Sequence, residues 1–312
     1  MKKILLKYIV FFLSSGFFFG CANFQDFMNL NQSKHNDLKK SEQNTVNSIL
    51  NPKQKGFAAI NGINIYYELY GNETGIPLVL LHGGGSTIES SFGKVIPILS
   101  KNHRIIAMEE QSHGRTSDRN APLRFATSAE DVVGLLNFLK IEKADLFGFS
   151  NGASIAIHIA IKHPSRVRSL VFASSITKRS GAQQELWEFI KNSDFSQMSQ
   201  ALKDAFLKVN SDQTKLLNMH DKAKERMVNF TDIKDEDLKS LQTNTLILTG
   251  DRDVGKLEHS IELTKLIPKS RLIVLPYGHG DYMGEASSTK KETNVTEHTI
   301  GLIEEFLAGN IE

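Results

Sequence analysis

The chain has 312 residues, with Lys+Arg 37 against Asp+Glu 35, a formal charge of +2 and an ordinary globular composition. That length supports one large domain with a sizeable core, and the charge balance excludes the strongly basic face of a nucleic-acid binder. The single cysteine, Cys21, excludes an internal disulfide, and no Cys/His cluster has metal-ligand spacing.

Lys2, Lys3 and Lys7 precede an apolar run over 8–19 that is short for a transmembrane helix and suits a secretory h-region. The run ends at Gly20-Cys21-Ala22 and resembles a bacterial lipoprotein signal, although Phe18 stands where leucine is usual. The resemblance implies removal of the residues before Cys21, lipidation of Cys21, and export to a bacterial envelope membrane held by acyl chains. Ordinary cleavage releasing a soluble secreted protein, or retention of the run as an anchor, are the alternatives. Residues 22–54 are rich in Asn, Gln, Lys and Ser, the composition of a polar tether. A short helix over 41–50 docked on the body is the other possibility.

From residue 55 the pattern changes. Two β-rich runs, 57–60 and 63–70, flank Asn61-Gly62, a strong hairpin signal. Pro77 to Leu81 is an apolar run without alternation, as in a strand buried on both faces. It leads into His82-Gly83-Gly84-Gly85, where backbone N–H groups are left accessible. A helix over 88–100, a strand over 104–109 and a helix over 127–140 follow, the last with Ser128 and Asp131 placed for a capping box. The next strand, 144–149, runs directly into Gly148-Phe149-Ser150-Asn151-Gly152 and a helix over 152–163. Alone, a G-x-S-x-G arises by chance in about one chain in ten of this length. Between a strand and a helix it reads as a nucleophile elbow, which holds a serine hydroxyl out of the sheet.

A strand over 167–173 precedes some seventy polar residues with apolar positions at helical spacing: Leu186, Phe189 and Ile190, then Leu202, Ala205, Phe206 and Val209. This segment, about 176–242, is expected to form two to four helices as a lid after the sixth strand. Trp187, Phe195, Phe206, Met219 and Met227 are expected to pack the lid, or else to line a pocket. The strand over 245–249 runs into Gly250-Asp251-Arg252-Asp253, where Asp253 is favoured over Asp251 as an orienting carboxylate and a helix cap is the bland reading of either. The strand over 271–275 precedes Gly278-His279-Gly280. Residues 285–297 look like a polar surface loop before a final helix over 295–307.

Strands alternating with helices imply parallel right-handed βαβ units. The order Ser150, Asp253, His279 is the one used with nucleophile elbows. On these motifs, with Glu109 to Thr116 as a further match, residues 56–310 resemble an α/β-hydrolase, although Ser112 and Thr116 stand where Gly and Ser are common. The resemblance implies an α/β fold: a mostly parallel sheet of about eight strands with helices on both faces. It also implies a Ser-His-Asp hydrolase needing no cofactor or metal, acting on a small ester-like substrate. Gly84 and Asn151 would supply oxyanion N–H donors. A C–C bond hydrolase or lactonase with the same triad is one rival, and a surface-bound binding lipoprotein without chemistry is another. Gly85 disfavours a proline-releasing peptidase, and Ser150 excludes an aspartate-nucleophile hydrolase. His82 is expected to brace its loop. His113 sits at the site edge, either structural or touching substrate. His103, His158, His163 and His259 read as structural or solvated.

Overall fold

Eight strands make one sheet in the order β1-β2-β4-β3-β5-β6-β7-β8. The strands are β1 (Gln54–Ile60), β2 (Ile63–Gly71), β3 (Leu78–Leu81), β4 (Arg104–Met108), β5 (Ala144–Phe149), β6 (Val167–Ala173), β7 (Asn244–Arg252) and β8 (Ser270–Gly278). The structure is a computed structural model and describes residues 51–288 and 294–311. The expected signal segment, Cys21 and nearly all of the tether lie outside the described residues. Among the described residues, no helix is long and apolar enough to cross a membrane.

The hairpin forms as the sequence indicates: Asn61 and Gly62 both take positive φ between β1 and β2. β2 runs antiparallel to β4, and every later pairing is parallel. β3 lies between β4 and β5, so the strand order reverses there and a crevice opens at its carboxyl end. The helices are α1 (Ile88–Phe92), α2 (Ile96–Leu99), α3 (Phe125–Phe138), α4 (Asn151–Lys162), α5 (Gln184–Asn192), α6 (Gln200–Val209), α7 (Gln213–Val228), α8 (Asp235–Lys239), α9 (Leu257–Leu266) and α10 (Val295–Leu307). One apolar cluster packs residues of α3, α4 and α9 against one sheet face, and a second packs α1, α2 and α10 against the other.

The single helix expected over 88–100 is two. Pro97 cannot continue a helix interior, so α1 stops at Gly93 and α2 restarts with the proline in its first turn. α3 begins at Phe125, a turn before the expected capping box. Ser128 and Asp131 are therefore buried on the helix body: Ser128 donates to Glu110, and Asp131 takes Asn61 and Arg119. Between β6 and β7 the insert carries α5 to α8. Trp187 and Phe206 are buried there, whereas Phe189 is exposed. Glu285, expected on a surface loop, is buried.

Candidate active site

The crevice gathers the loops after β3, β5, β7 and β8. Ser150 has φ +54 and ψ −120, a region side chains rarely occupy. Its flanking glycines are required by contact: a Cβ on Gly148 would overlap the backbone of Ala153, and one on Gly152 would overlap the Leu81 carbonyl. The Ser150 amide donates to the Ala173 carbonyl at 2.8 Å, fixing the turn to the end of β6.

His279 lies between β8 and the turn at Gly280. Its Nε2 is 3.2 Å from Ser150 Oγ, and its Nδ1 is 2.7 Å from Asp253 Oδ1. Asp253, not Asp251, meets the imidazole; Asp251 is exposed beside Arg252. Burial alone would lower the His279 pKa, but the hydrogen bond and charge of Asp253 outweigh it and hold the imidazole above its ordinary value. Burial would raise Asp253, and donors from His279, Ser174 and Gly250 overcome it, so its carboxyl is held low.

Two residues of this network carried no signal in the sequence. Ser174, at φ +50 just past β6, donates to Asp253 Oδ2, and the buried Tyr282 hydroxyl lies 2.5 Å from Ser174 Oγ. Since the Ser174 proton is used on the carboxylate, Tyr282 donates to Ser174. Neither residue belongs to a motif; the end of β6 brings Ser174, and the turn after β8 brings Tyr282, to Asp253 at the end of β7.

Gly84 and Asn151 meet at the crevice, where a Cβ on Gly84 would run into the Asn151 amide group. Among the described residues, neither backbone N–H has a hydrogen-bond acceptor, and that of Asn151 opens α4, at the positive end of a helix dipole. His82 does brace its loop: Nδ1 donates to Gly83 O at 2.8 Å. His113 is fully buried against the same loop, so it is part of the scaffold. Glu285 accepts from Ser86 at 3.2 Å, joining the loop after β3 to the segment after β8.

A cavity of about 290 Å³ opens beside Gly84 and Gly85, walled by Leu202, Met198, Met219 and Met227 of the insert. Met219 and Met227 thus do both things expected of them, packing the insert and lining a pocket. The insert is seated by a buried ion pair: Arg226 of α7 donates through both Nη atoms to Glu110, which also accepts from Ser128 at 2.5 Å.

This architecture defines a class: an open parallel sheet with a strained serine at its carboxyl edge and a helical insert above it. The family profile for the alpha/beta hydrolase fold matches residues 76–231, half of the chain, and the chain belongs to that family. It is 38% identical over 112 residues to the 2-hydroxymuconate semialdehyde hydrolase of Pseudomonas sp. (strain CF600), covering 35% of this chain and 39% of that one. It is 28% identical over 223 residues to the 2-hydroxy-6-oxo-2,4-heptadienoate hydrolase of Pseudomonas putida, covering 64% and 80%. Among solved structures, a meta-cleavage product hydrolase from Pseudomonas fluorescens superposes with a TM-score of 0.64 at 22% identity, over 82% of this chain and 98% of that chain. The chain thus spans about two fifths of the length of the first of these relatives and four fifths of the second.

Proposed function

We propose that this protein is a serine hydrolase that cleaves a carboxylic ester through an acyl-enzyme, with Ser150 as nucleophile, His279 as general base and Asp253 as its orienting acid. The observation that carries the reading is the continuous line of contacts from Asp253 Oδ1 through His279 to Ser150 Oγ, at 2.7 and 3.2 Å. His279 takes the Ser150 proton as Oγ attacks the acyl carbon, and Asp253 holds the proton on Nδ1 and stabilises the imidazolium. The N–H groups of Gly84 and Asn151 receive the developing oxyanion, each worth about 3 kcal/mol of barrier. The imidazolium returns its proton to the leaving group. Water then attacks the acyl-enzyme with His279 again as base.

A second reading, C–C bond hydrolysis with the same triad, is favoured by the relatives named for semialdehyde and heptadienoate substrates. A panel of simple esters, lactones and vinylogous diketones separates the two, since the substrate turned over fastest names the bond. Ser150→Ala should lower kcat by about 10⁶ on any of them, and the wild type should label with a fluorophosphonate. Retention of more than a few per cent of activity in Ser150→Ala would refute the nucleophile. Folded wild-type protein that neither labels nor turns over any member of the panel would favour a binding protein on this fold.

A further inference from the structure

Gly84 sits between two peptide groups, and the orientation of its N–H is set by what holds each of them. The Gly83 carbonyl accepts from His82 Nδ1 at 2.8 Å and from the Ser86 amide at 3.2 Å. In a trans peptide the carbonyl and the following N–H point in opposite directions, so fixing Gly83 O aims the Gly84 N–H the other way. The second peptide is held from the far side. Gly85 donates its N–H to His113 Nε2 at 3.0 Å, while His113 Nδ1 lies 2.9 Å from the Gln111 carbonyl.

These partners leave His113 one proton state. An amide must donate, so Nε2 is bare; a carbonyl must accept, so Nδ1 carries the proton. The groups facing the ring are Glu110, with a carboxylate oxygen 3.8 Å from Nδ1, the His82 ring at 5.1 Å between centroids, and Arg226 paired to Glu110. Desolvation of the fully buried ring prevails over the pull of Glu110 and keeps the imidazole neutral, with a pKa lowered to about 4. Gly85 has φ +76, so this loop is not held by a regular ladder and depends on such side-chain contacts.

We propose that His113 is a positioning residue for the oxyanion site: by accepting the Gly85 N–H it fixes the peptide after Gly84, and so holds the Gly84 N–H where the oxygen of an acyl group on Ser150 develops charge. The inference rests on the reading of Ser150 as nucleophile and Gly84 as oxyanion donor. The loop that carries His113 is also tied to the insert, through Asn210 to the Gly114 carbonyl at 2.8 Å and through Arg226 to Glu110. Seating of the insert and the shape of the oxyanion loop are therefore mechanically linked.

The test compares two polar variants of the full chain on p-nitrophenyl acetate. His113→Gln carries an acceptor out to the position of Nε2. His113→Asn reaches only the position of Nδ1 and leaves the Gly85 N–H unpaired. His113→Asn should lower kcat by roughly 10- to 100-fold, short of the loss for deleting a donor outright, with KM changed less than about twofold because the group acts in the transition state. His113→Gln should recover most of that loss. Equal losses in both variants, or no loss in His113→Asn, would overturn the proposal while leaving an active, Ser150-dependent enzyme. A wild type without Ser150-dependent turnover would overturn the underlying reading instead, and this inference with it. Should neither variant fold, ¹⁵N NMR of the wild-type imidazole decides: a bare Nε2 coupled to the Gly85 N–H supports the clamp, and a protonated Nε2 refutes it.

Discussion

The Arg226–Glu110 pair gives the sharpest test of how the insert is held. Both side chains are nearly fully buried, at 2% and 6% exposure. Arg226 Nε finds no partner among the described residues, and Glu110 has Ser128 as an additional donor. Arg226→Met strands a buried carboxylate and should cost about 3–5 kcal/mol, and Glu110→Leu strands a buried guanidinium at similar cost. The double variant removes both charges and leaves mainly the Ser128 hydroxyl without its acceptor, a loss of only about 1–3 kcal/mol. The coupling energy should therefore be at least about 3 kcal/mol. For a domain of this size each kcal/mol moves Tm by roughly 2–4 °C, so each single variant should melt about 6–20 °C lower and the double should recover most of that. Urea unfolding of the four proteins measures the cycle. Additive single effects, or an Arg226→Met cost below about 1 kcal/mol, would show that the pair is hydrated and that the insert is seated by something else. The pH dependence supplies an independent arm. Burial raises the Glu110 pKa, but the charge and hydrogen bonds of Arg226, with the Ser128 hydroxyl, prevail and hold it at about 2, below its ordinary 4.5. A folded-state pKa below the unfolded one gives stability that is complete above about pH 4.5 and is lost as pH falls toward 2. Arg226→Met should flatten that loss.

Asp253→Asn should lower kcat by about 10⁴, through loss of the correct imidazole tautomer, whereas Asp251→Asn should leave it unchanged; steady-state kinetics on an activated ester reads both. Because Asp253 raises the His279 pKa and the base must be neutral, kcat/KM should fall on the acid side of that raised value. In Asp253→Asn the acid limb should move to lower pH. Ser174→Ala removes a donor from Asp253 Oδ2 and should cost about 1–2 kcal/mol of barrier, roughly 5- to 30-fold in kcat; an unchanged kcat would show that the Tyr282–Ser174 branch does not position the acid.

What was legible in the sequence follows from how local the determinants are. The hairpin at Asn61-Gly62, the apolar strands and the Gly148–Gly152 elbow are written within a few residues, because turn chemistry and burial on both faces act at that range. The contact of Asp253, and not Asp251, with His279 is also local: Asp251 still belongs to β7 and Asp253 is the first residue past it. The α1–α2 break was readable in principle from Pro97. The rest was not. Ser174, just past β6, and Tyr282, just past β8, meet only when the sheet aligns, Glu285 reaches Ser86 from the same stretch as Tyr282, and each is an unremarkable residue type in its own stretch. His113 was placed near the site by its motif, but its direction was invisible: a loop histidine facing substrate and one facing a neighbouring loop have the same local sequence. Glu110 and Arg226 carry no local mark of burial, and only their meeting across the insert makes them a buried pair.

On the proposed ester reading the cavity beside Gly84 would receive the acyl group, and its volume sets an expectation. At about 290 Å³ it sits at the lower edge of the range for small-molecule sites. Its wall is soft, since Met198, Met219 and Met227 are flexible side chains that yield to a ligand more readily than branched ones. On that reading a short acyl chain is expected to be accommodated between these walls and a long one to require their rearrangement. The kcat/KM profile over p-nitrophenyl esters should therefore peak at short chains and fall steeply beyond them. Met227→Ala enlarges the cavity without touching Ser150, His279 or Asp253, and should shift the peak toward longer chains by one to a few carbons, each added buried methylene being worth about 0.8 kcal/mol where it finds room. A flat profile from acetate to dodecanoate in the wild type would mean that the acyl group lies elsewhere. The walls named here would then be packing and not specificity.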